Sequence, residues 1–462
     1  MMQGLTGSSM RAAAFLRSPW QEPADVLAGC ADSLFALGLL SGGEGARWSY
    51  VACDPDAQLI LQANDSTDSF AALAAMLGPP CPVAPGGPPF QGGVAGLCAY
   101  ELGAWTEGLD LARHEDWPDL AWARYPALLA FDHQAGEVIA VGRGPHAAGA
   151  RIQARRAQSW LGKVWLGKSQ PATPAPFPLA DHLEGEPAQA YEAAAAEVVD
   201  RIGRGEIFQA NIARRWRGRL ARGAQPFDLM RRLLAQSPAP FAAYLRLADR
   251  AVVSNSPERF ISVRPDGEAL LAQAQPIKGT IRRGRNAAED AALAAQLAAS
   301  AKDRAENLMI VDLMRNDLAR VCAPGTVAAP RLFEIEGFAN VHHLVSTVTG
   351  RLAMGRTALD LLHAAFPPGS ITGAPKHQAM KVIAGLEAPR GPFFGAMVWA
   401  GFDGAMDSSV LIRTAACVAD AEGWRIEARA GGGVVADSDP KAEREETEAK
   451  FAALARALTQ TA

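Results

Sequence analysis

Short apolar runs bounded by glycine, proline and small polar residues follow one another over residues 48–141 with no helical pattern between them. They fall at Trp48-Ser49-Tyr50-Val51-Ala52 and at residues 90–96, 125–131 and 137–141. Runs this closely spaced pair antiparallel, because a parallel pair needs a crossover of about a dozen residues or more. Further strand-like runs at 208–216, 241–247, 251–254 and 259–263, and again at 396–402, 409–418 and 424–430, are grouped among segments with apolar residues at helical spacing. Those helical segments cover 188–203, 227–236, 287–317 with a break near Ser300, 357–365, 375–386 and 440–458. Strands grouped with helices, rather than alternating with them one by one, predict an α+β fold built on large antiparallel sheets with helices on the outside.

A helix at 151–165 closes an N-terminal sheet region, 1–166. Five prolines mark 167–187 as a linker, and a second unit, 188–462, is expected to carry the chemistry. Half of the residues are apolar and a fifth charged, the balance of an ordinary globular enzyme. A net charge of -4 argues against a life on nucleic acid or anionic lipid. The first ten residues lack a basic stretch leading into an apolar core, and no segment reaches the ~18 apolar residues of a membrane span, so a cytoplasmic protein is expected. Six cysteines are scattered without a CxxC pair, which fits reduced packing residues better than a disulfide frame or a zinc site.

Two segments imitate functions that their context does not support. Residues 162–169 match the phosphate-binding GxxxxGK[ST] pattern, but Gln170-Pro171-Ala172-Thr173-Pro174 follows, where the chemistry needs a helix whose N-terminal amides hold the phosphate. Arg214-Arg215-Trp216-Arg217-Gly218-Arg219 mixes bases with an aromatic, as a single-strand nucleic-acid groove would. At strand spacing these arginines fall on both faces, which suits a solvated sheet edge better and leaves nucleic-acid binding as the non-enzymatic alternative.

Chemistry is concentrated further along. Pro276-Ile277-Lys278-Gly279-Thr280 presents one lysine between two residues that interrupt regular structure, so a tight turn is expected there. Asp303 and Glu306 lie three apart on one helical segment, and Glu443 and Glu446 three apart on another, with Lys450 four further on. Each pair shares a helix face. Four inward carboxylates suit Mg2+, which takes oxygen ligands and keeps open positions; the same spacing also describes two solvated helix faces. Residues 368–376, with Gly373, run into a helix whose first amides can receive a carboxylate. Ala430-Gly431-Gly432-Gly433 permits close backbone approach to a ligand, and Arg413 on an apolar strand needs an acid, from substrate or from protein.

In order along the chain, Ser256-Pro257-Glu258-Arg259-Phe260, residues 276–280, 305–312, 315–317, 343–346, 372–376, Ile412-Arg413-Thr414, 430–433 and 443–450 resemble the chorismate-utilising enzymes. The resemblance implies Mg2+ held by Glu306 and Glu446, with Glu443 and Asp303 at one remove through water. It implies substrate carboxylates bound by Arg413, Lys450 and the backbone of Gly431 and Gly432, with Gly279 and His343 lining the ring, Gly373 as a further substrate-binding residue, and Glu258 as the acid that protonates the departing C4 hydroxyl. Members that form anthranilate resemble each other in having alanine where this chain has Lys278; a lysine there resembles the members that aminate C4. An amine at that position can add to C2 of chorismate while hydroxide leaves C4, and ammonia can then add at C4 and expel the lysine. Members that add water have a lysine base where this chain has Gln209. The implied product is 4-amino-4-deoxychorismate, which passes to a separate lyase on the way to 4-aminobenzoate and folate, and the implied ammonia source is a separate glutamine amidotransferase subunit. Gln275 and Phe393 depart from the family's usual arginine and tyrosine.

Overall fold

A computed structural model describes residues 10–460 except 44, 63, 64, 66, 163–176, 181 and 338–340. The phosphate-loop look-alike therefore lies outside the described residues apart from Gly162. Two mostly antiparallel sheets, one of twelve strands and one of ten, dominate the chain. They pack face to face, and helices cover both outer faces. Period-two burial produces this layering: Tyr50 and Ala52 of the strand Trp48–Ala52 enter the apolar layer between the sheets, whereas Val51 points to the helices outside. The predicted α+β class, with its large antiparallel sheets, is what the structure has.

Both sheets draw strands from either side of residues 167–187. In the larger sheet Leu37–Leu40 pairs with Phe241–Arg246; in the smaller, Gly93–Cys98 pairs with Ala396–Gly401. The residues predicted as a linker include a short strand, Leu183–Gly185, on the edge of Gln209–Arg219. The arginines of that long strand are each matched by an acid, Arg214 with Glu448, Arg215 with Glu186, Arg217 with Glu427 and Arg219 with Asp420. They are a salt-bridged sheet face, without the free cations that a nucleic-acid groove requires.

Helix boundaries follow capping chemistry. The segment at 287–317 is broken where expected: Ala287–Ala299 ends and Ala301–Ala319 begins at Ser300, whose hydroxyl accepts from the Asp303 amide. The strand expected over 409–418 is instead two strands. Met406–Val410 belongs to the smaller sheet and Thr414–Asp420 to the larger, so the chain crosses between layers at residues 411–413. Another crossing lies beside it, where Arg250–Ser256 of the larger sheet gives way at Pro257 and Glu258 to Arg259–Asp266 of the smaller. The two crossings are joined by hydrogen bonds from Asn255 N to Arg413 O and from Val410 N to Glu258 O.

Candidate active site

Where the chain crosses twice, strand pairing must lapse, and side chains at the crossings can face a cavity instead of a neighbouring strand. Glu258 comes from one crossing and Arg413 from the other. Both line a cavity of about 520 Å3 together with Lys278, Glu306, Glu446 and Lys450. Gly279, His343, Gly431 and Glu443 also line it. Ten of the twelve site residues expected from sequence are thus gathered in one space. Gly432 stands directly behind the carboxylates, since a Cβ there would lie 2.9 Å from Glu443 Oε2. Gly373 is not among the lining residues: it pairs with Ala210 on a sheet edge, where a Cβ would lie 2.2 Å from Gln209 O.

Lys278 does not sit on a turn. It belongs to an edge strand, Ile277–Arg282, whose register with Val341–Arg351 shifts between Ile277 and Thr280. That irregularity turns the lysine out of the ladder and into the cavity. Gly279 makes it possible, with φ of +84° and Asp303 so close that a Cβ would lie 2.9 Å from its side chain. Asn307, fully buried on Ala301–Ala319, clamps the strand pair by donating to the carbonyls of Pro276 and Leu344 and accepting from Ser346 Oγ. His343, opposite Thr280, hydrogen-bonds Thr280 Oγ1 at 2.8 Å. The glycines at 431–433 likewise lie within a strand, Gly423–Val434.

The electrostatics set one amine and one acid apart. Burial and then the nearby Lys450 cation push the Lys278 amine below its ordinary range, outweighing the attraction of Glu306, Glu258 and Glu446. Burial raises the Glu258 carboxyl against the opposing Ser370 hydrogen bond, 2.8 Å long, and the Lys278 and Lys450 charges. The cavity therefore shifts the lysine toward its neutral form and the glutamic acid toward its protonated form. Burial, aided by Arg413, pushes His343 down to about 4, so its imidazole is neutral near pH 7. Arg413 adopts φ of +50°, and no carboxylate among the described residues forms an ion pair with its guanidinium. Such a cation is free to meet a substrate carboxylate.

Glu306 approaches from Ala301–Ala319, and Glu443 and Glu446 from Pro440–Thr459. Burial raises both Glu306 and Glu443. For Glu446 burial acts in the same direction, but the Lys450 charge and hydrogen bond, at 2.6 Å, hold it below the usual range. As placed, no three acidic, imidazole or thiol groups among the described residues converge closely enough to hold a metal. The donor chemistry nevertheless fits a hard cation, since oxygen ligands from two helices share one cavity and two are raised toward neutrality. Ser370, Asn211, Lys302 and Phe394 also line the cavity and escaped the sequence reading. Only Lys302 left a signal, four residues before Glu306 on one helix face, with its Nζ 3.9 Å from that carboxylate. Gln275 accepts from Arg259 at 2.5 Å, and Phe393 stacks on Phe394 with centroids 4.1 Å apart.

Known proteins resemble this chain over most of its length. Aminodeoxychorismate synthase component 1 of Salmonella typhimurium is 42% identical over 363 residues, 78% of this chain and 75% of its own. Anthranilate synthase component 1 of Streptomyces coelicolor is 39% identical over 433 residues, 91% of this chain and 82% of its own. The crystal structure of anthranilate synthase component I from Streptococcus pneumoniae superposes with a TM-score of 0.75 at 26% identity, covering 90% of this chain and 94% of that one. The family model of chorismate binding enzymes matches residues 38–456, which include every wall of the cavity, and the chain belongs to that family.

Proposed function

We propose that this chain aminates chorismate at C4, forming 4-amino-4-deoxychorismate with ammonia supplied by a separate glutamine amidotransferase subunit. One observation carries the reading: the Lys278 amine, pushed toward its neutral form by burial, shares a cavity with the raised carboxyl of Glu258 and the guanidinium of Arg413. The neutral amine adds to C2, the two ring double bonds shift, and the C4 oxygen departs as water with a proton from Glu258. Ammonia adds at C4, the double bonds return, and Lys278 leaves as a neutral amine. The new ammonium group returns a proton to Glu258, and the cycle closes. Arg413 and Lys450 hold the carboxylates of the substrate, and neutral His343 flanks the ring beside Gly279.

Glu306 and Glu446 would hold Mg2+, with Glu443 and Asp303 reaching it through water. A bound ion supplies positive charge to the C1 carboxylate and so withdraws electron density from the ring. Glu446→Gln is expected to raise the Mg2+ concentration for half-maximal activity by at least the roughly 10- to 100-fold that loss of a supporting ligand costs. An unaltered Mg2+ titration would remove Glu446 from that role.

The similarity to anthranilate synthase component 1 over more of the chain favours a second reading, elimination of pyruvate to give a fluorescent aromatic acid. Incubation with chorismate, ammonium and Mg2+, followed by identification of the product with and without an added lyase, separates the two. We expect 4-amino-4-deoxychorismate, converted to 4-aminobenzoate only when lyase is present. Anthranilate formed without lyase would overturn the first reading.

A further inference from the structure

One buried ion pair stands outside the cavity and takes no part in the steps above. Lys376 opens the helix Lys376–Leu386, and its ammonium donates to Asp317 Oδ2 at 2.9 Å and to the Ala365 carbonyl at 2.6 Å. Both side chains are buried, with 6% of Lys376 and 3% of Asp317 exposed. The place does not suit a cation. A positive charge at a helix N-terminus opposes the helix dipole, and the hydration lost by two buried charges can exceed what their attraction returns. Burial raises Asp317 to about 6 against the Lys376 charge and hydrogen bond, with Glu107 raising it further and Arg320 lowering it. A pair kept in such a place is explained by what it joins.

Three pieces of chain meet at the Lys376 ammonium. Ala365 is the last residue of the helix Ala358–Ala365 and Lys376 the first of the next, so one group closes the segment 366–375 at both ends. Asp317 belongs to Ala301–Ala319, the helix that also presents Glu306 to the cavity. One turn before Asp317, Leu313 packs so closely on Gly369 that a Cβ there would lie 2.3 Å from Leu313 Cδ2. The closed segment is thus seated on that helix at two points of one face, Leu313 and Asp317. From this seat Ser370 lines the cavity and donates to Glu258 Oε1 at 2.8 Å, while the Thr372 carbonyl accepts from the Asn211 amide at 2.8 Å. An O–H···O bond extends to about 3.0 Å, so a shift of the segment by a few tenths of an ångström withdraws Ser370 from the acid.

We propose that Asp317 and Lys376 are positioning residues for the acid: by closing the segment 366–375 on the helix Ala301–Ala319 they hold Ser370 against Glu258. The proposal rests on the amination reading above, in which Glu258 supplies the proton and activity falls as rising pH removes it. Ser370, Lys278 and Lys450 all face Glu258 and lower its carboxyl, and a change at Lys376 alters none of them directly. With Ser370 withdrawn the carboxyl rises further. At saturating ammonium, Lys376→Met should therefore move the falling limb to higher pH by about half to one unit, the worth of one net hydrogen bond. Asp317→Leu combined with Lys376→Met leaves neither charge buried, so it should fold even where the single variant does not, and should move the limb equally. Asp317→Asn keeps an oxygen for the ammonium and should leave the limb in place. Lys376→Met added to Ser370→Ala should move it no further than Ser370→Ala alone, because both act through one bond. A lowered unfolding temperature with an unmoved limb in the variants lacking Lys376, or shifts that add in the combination with Ser370→Ala, overturns the positioning role and leaves the amination reading standing. Absence of amination by the unaltered chain overturns that reading, and the role with it.

Discussion

Lys278→Ala is expected to end amination at C4, with kcat reduced at least ~10³-fold, while chorismate binding measured by calorimetry changes less than about threefold. The asymmetry follows from where the amine stands. In the proposed mechanism its work is to form and break a bond, whereas the cations assigned to the substrate carboxylates are Arg413 and Lys450, which line the same cavity and which the substitution leaves in place. Lys278→Arg should not rescue turnover, because a guanidinium stays charged and cannot attack. Folding should not suffer either. Burial depresses the lysine, so its charged form is penalised in the native state; that penalty is full below the depressed folded value and fades as the pH rises from there to the unfolded value. Removing the amine relieves the penalty at neutral pH, so thermal unfolding should be unchanged or shifted upward. Mass spectrometry of protein quenched during turnover should find an adduct on Lys278 in the unaltered chain and none in the variant. Undiminished turnover in Lys278→Ala would end the covalent role.

Most of what could be read from the sequence was read through local chemistry. The break expected near Ser300 and the sheets expected from short, closely spaced apolar runs are both found, because both signals lie within a few residues of their effect. The errors share another cause. Proline and glycine around Lys278 predict a turn, but pairing with Val341–Arg351, some sixty residues away, draws the segment into a bulged edge strand. Residues 409–418 look like one strand because apolar residues are needed on both sides of the crossing at Arg413; that the two halves serve different sheets is decided by partners at Arg250–Ser256 and Arg259–Asp266. Gly373 is expected beside a bound carboxylate, yet what it satisfies is close approach to the Gln209 carbonyl. Ser370 could not be found at all, since a serine becomes informative only once Glu258, 112 residues earlier in the chain, lies 2.8 Å away. Site residues with a charge were legible and neutral ones that adjust them were not, because a charge demands a partner wherever it is placed and a hydroxyl does not.

Glu258→Gln should lower amination by about 10²- to 10⁴-fold, the range for loss of a positioned general acid, with thermal stability retained because glutamine keeps the shape and can still accept from Ser370 Oγ. The pH dependence distinguishes an acid from a merely polar neighbour. Burial raises the Glu258 carboxyl, so the protonated, competent form persists above the ordinary carboxylate range and is lost as the pH rises through the raised value. Activity at saturating ammonium should therefore carry a falling limb on its alkaline side, and Glu258→Gln should erase it. Ser370→Ala supplies the sign. The serine hydroxyl stabilises the carboxylate and pulls the carboxyl down, so its removal should move the falling limb to higher pH while kcat on the acid side is largely kept. A limb that moves to lower pH in Ser370→Ala, or one that survives in Glu258→Gln, would mean that the proton for the departing oxygen comes from another group in the cavity.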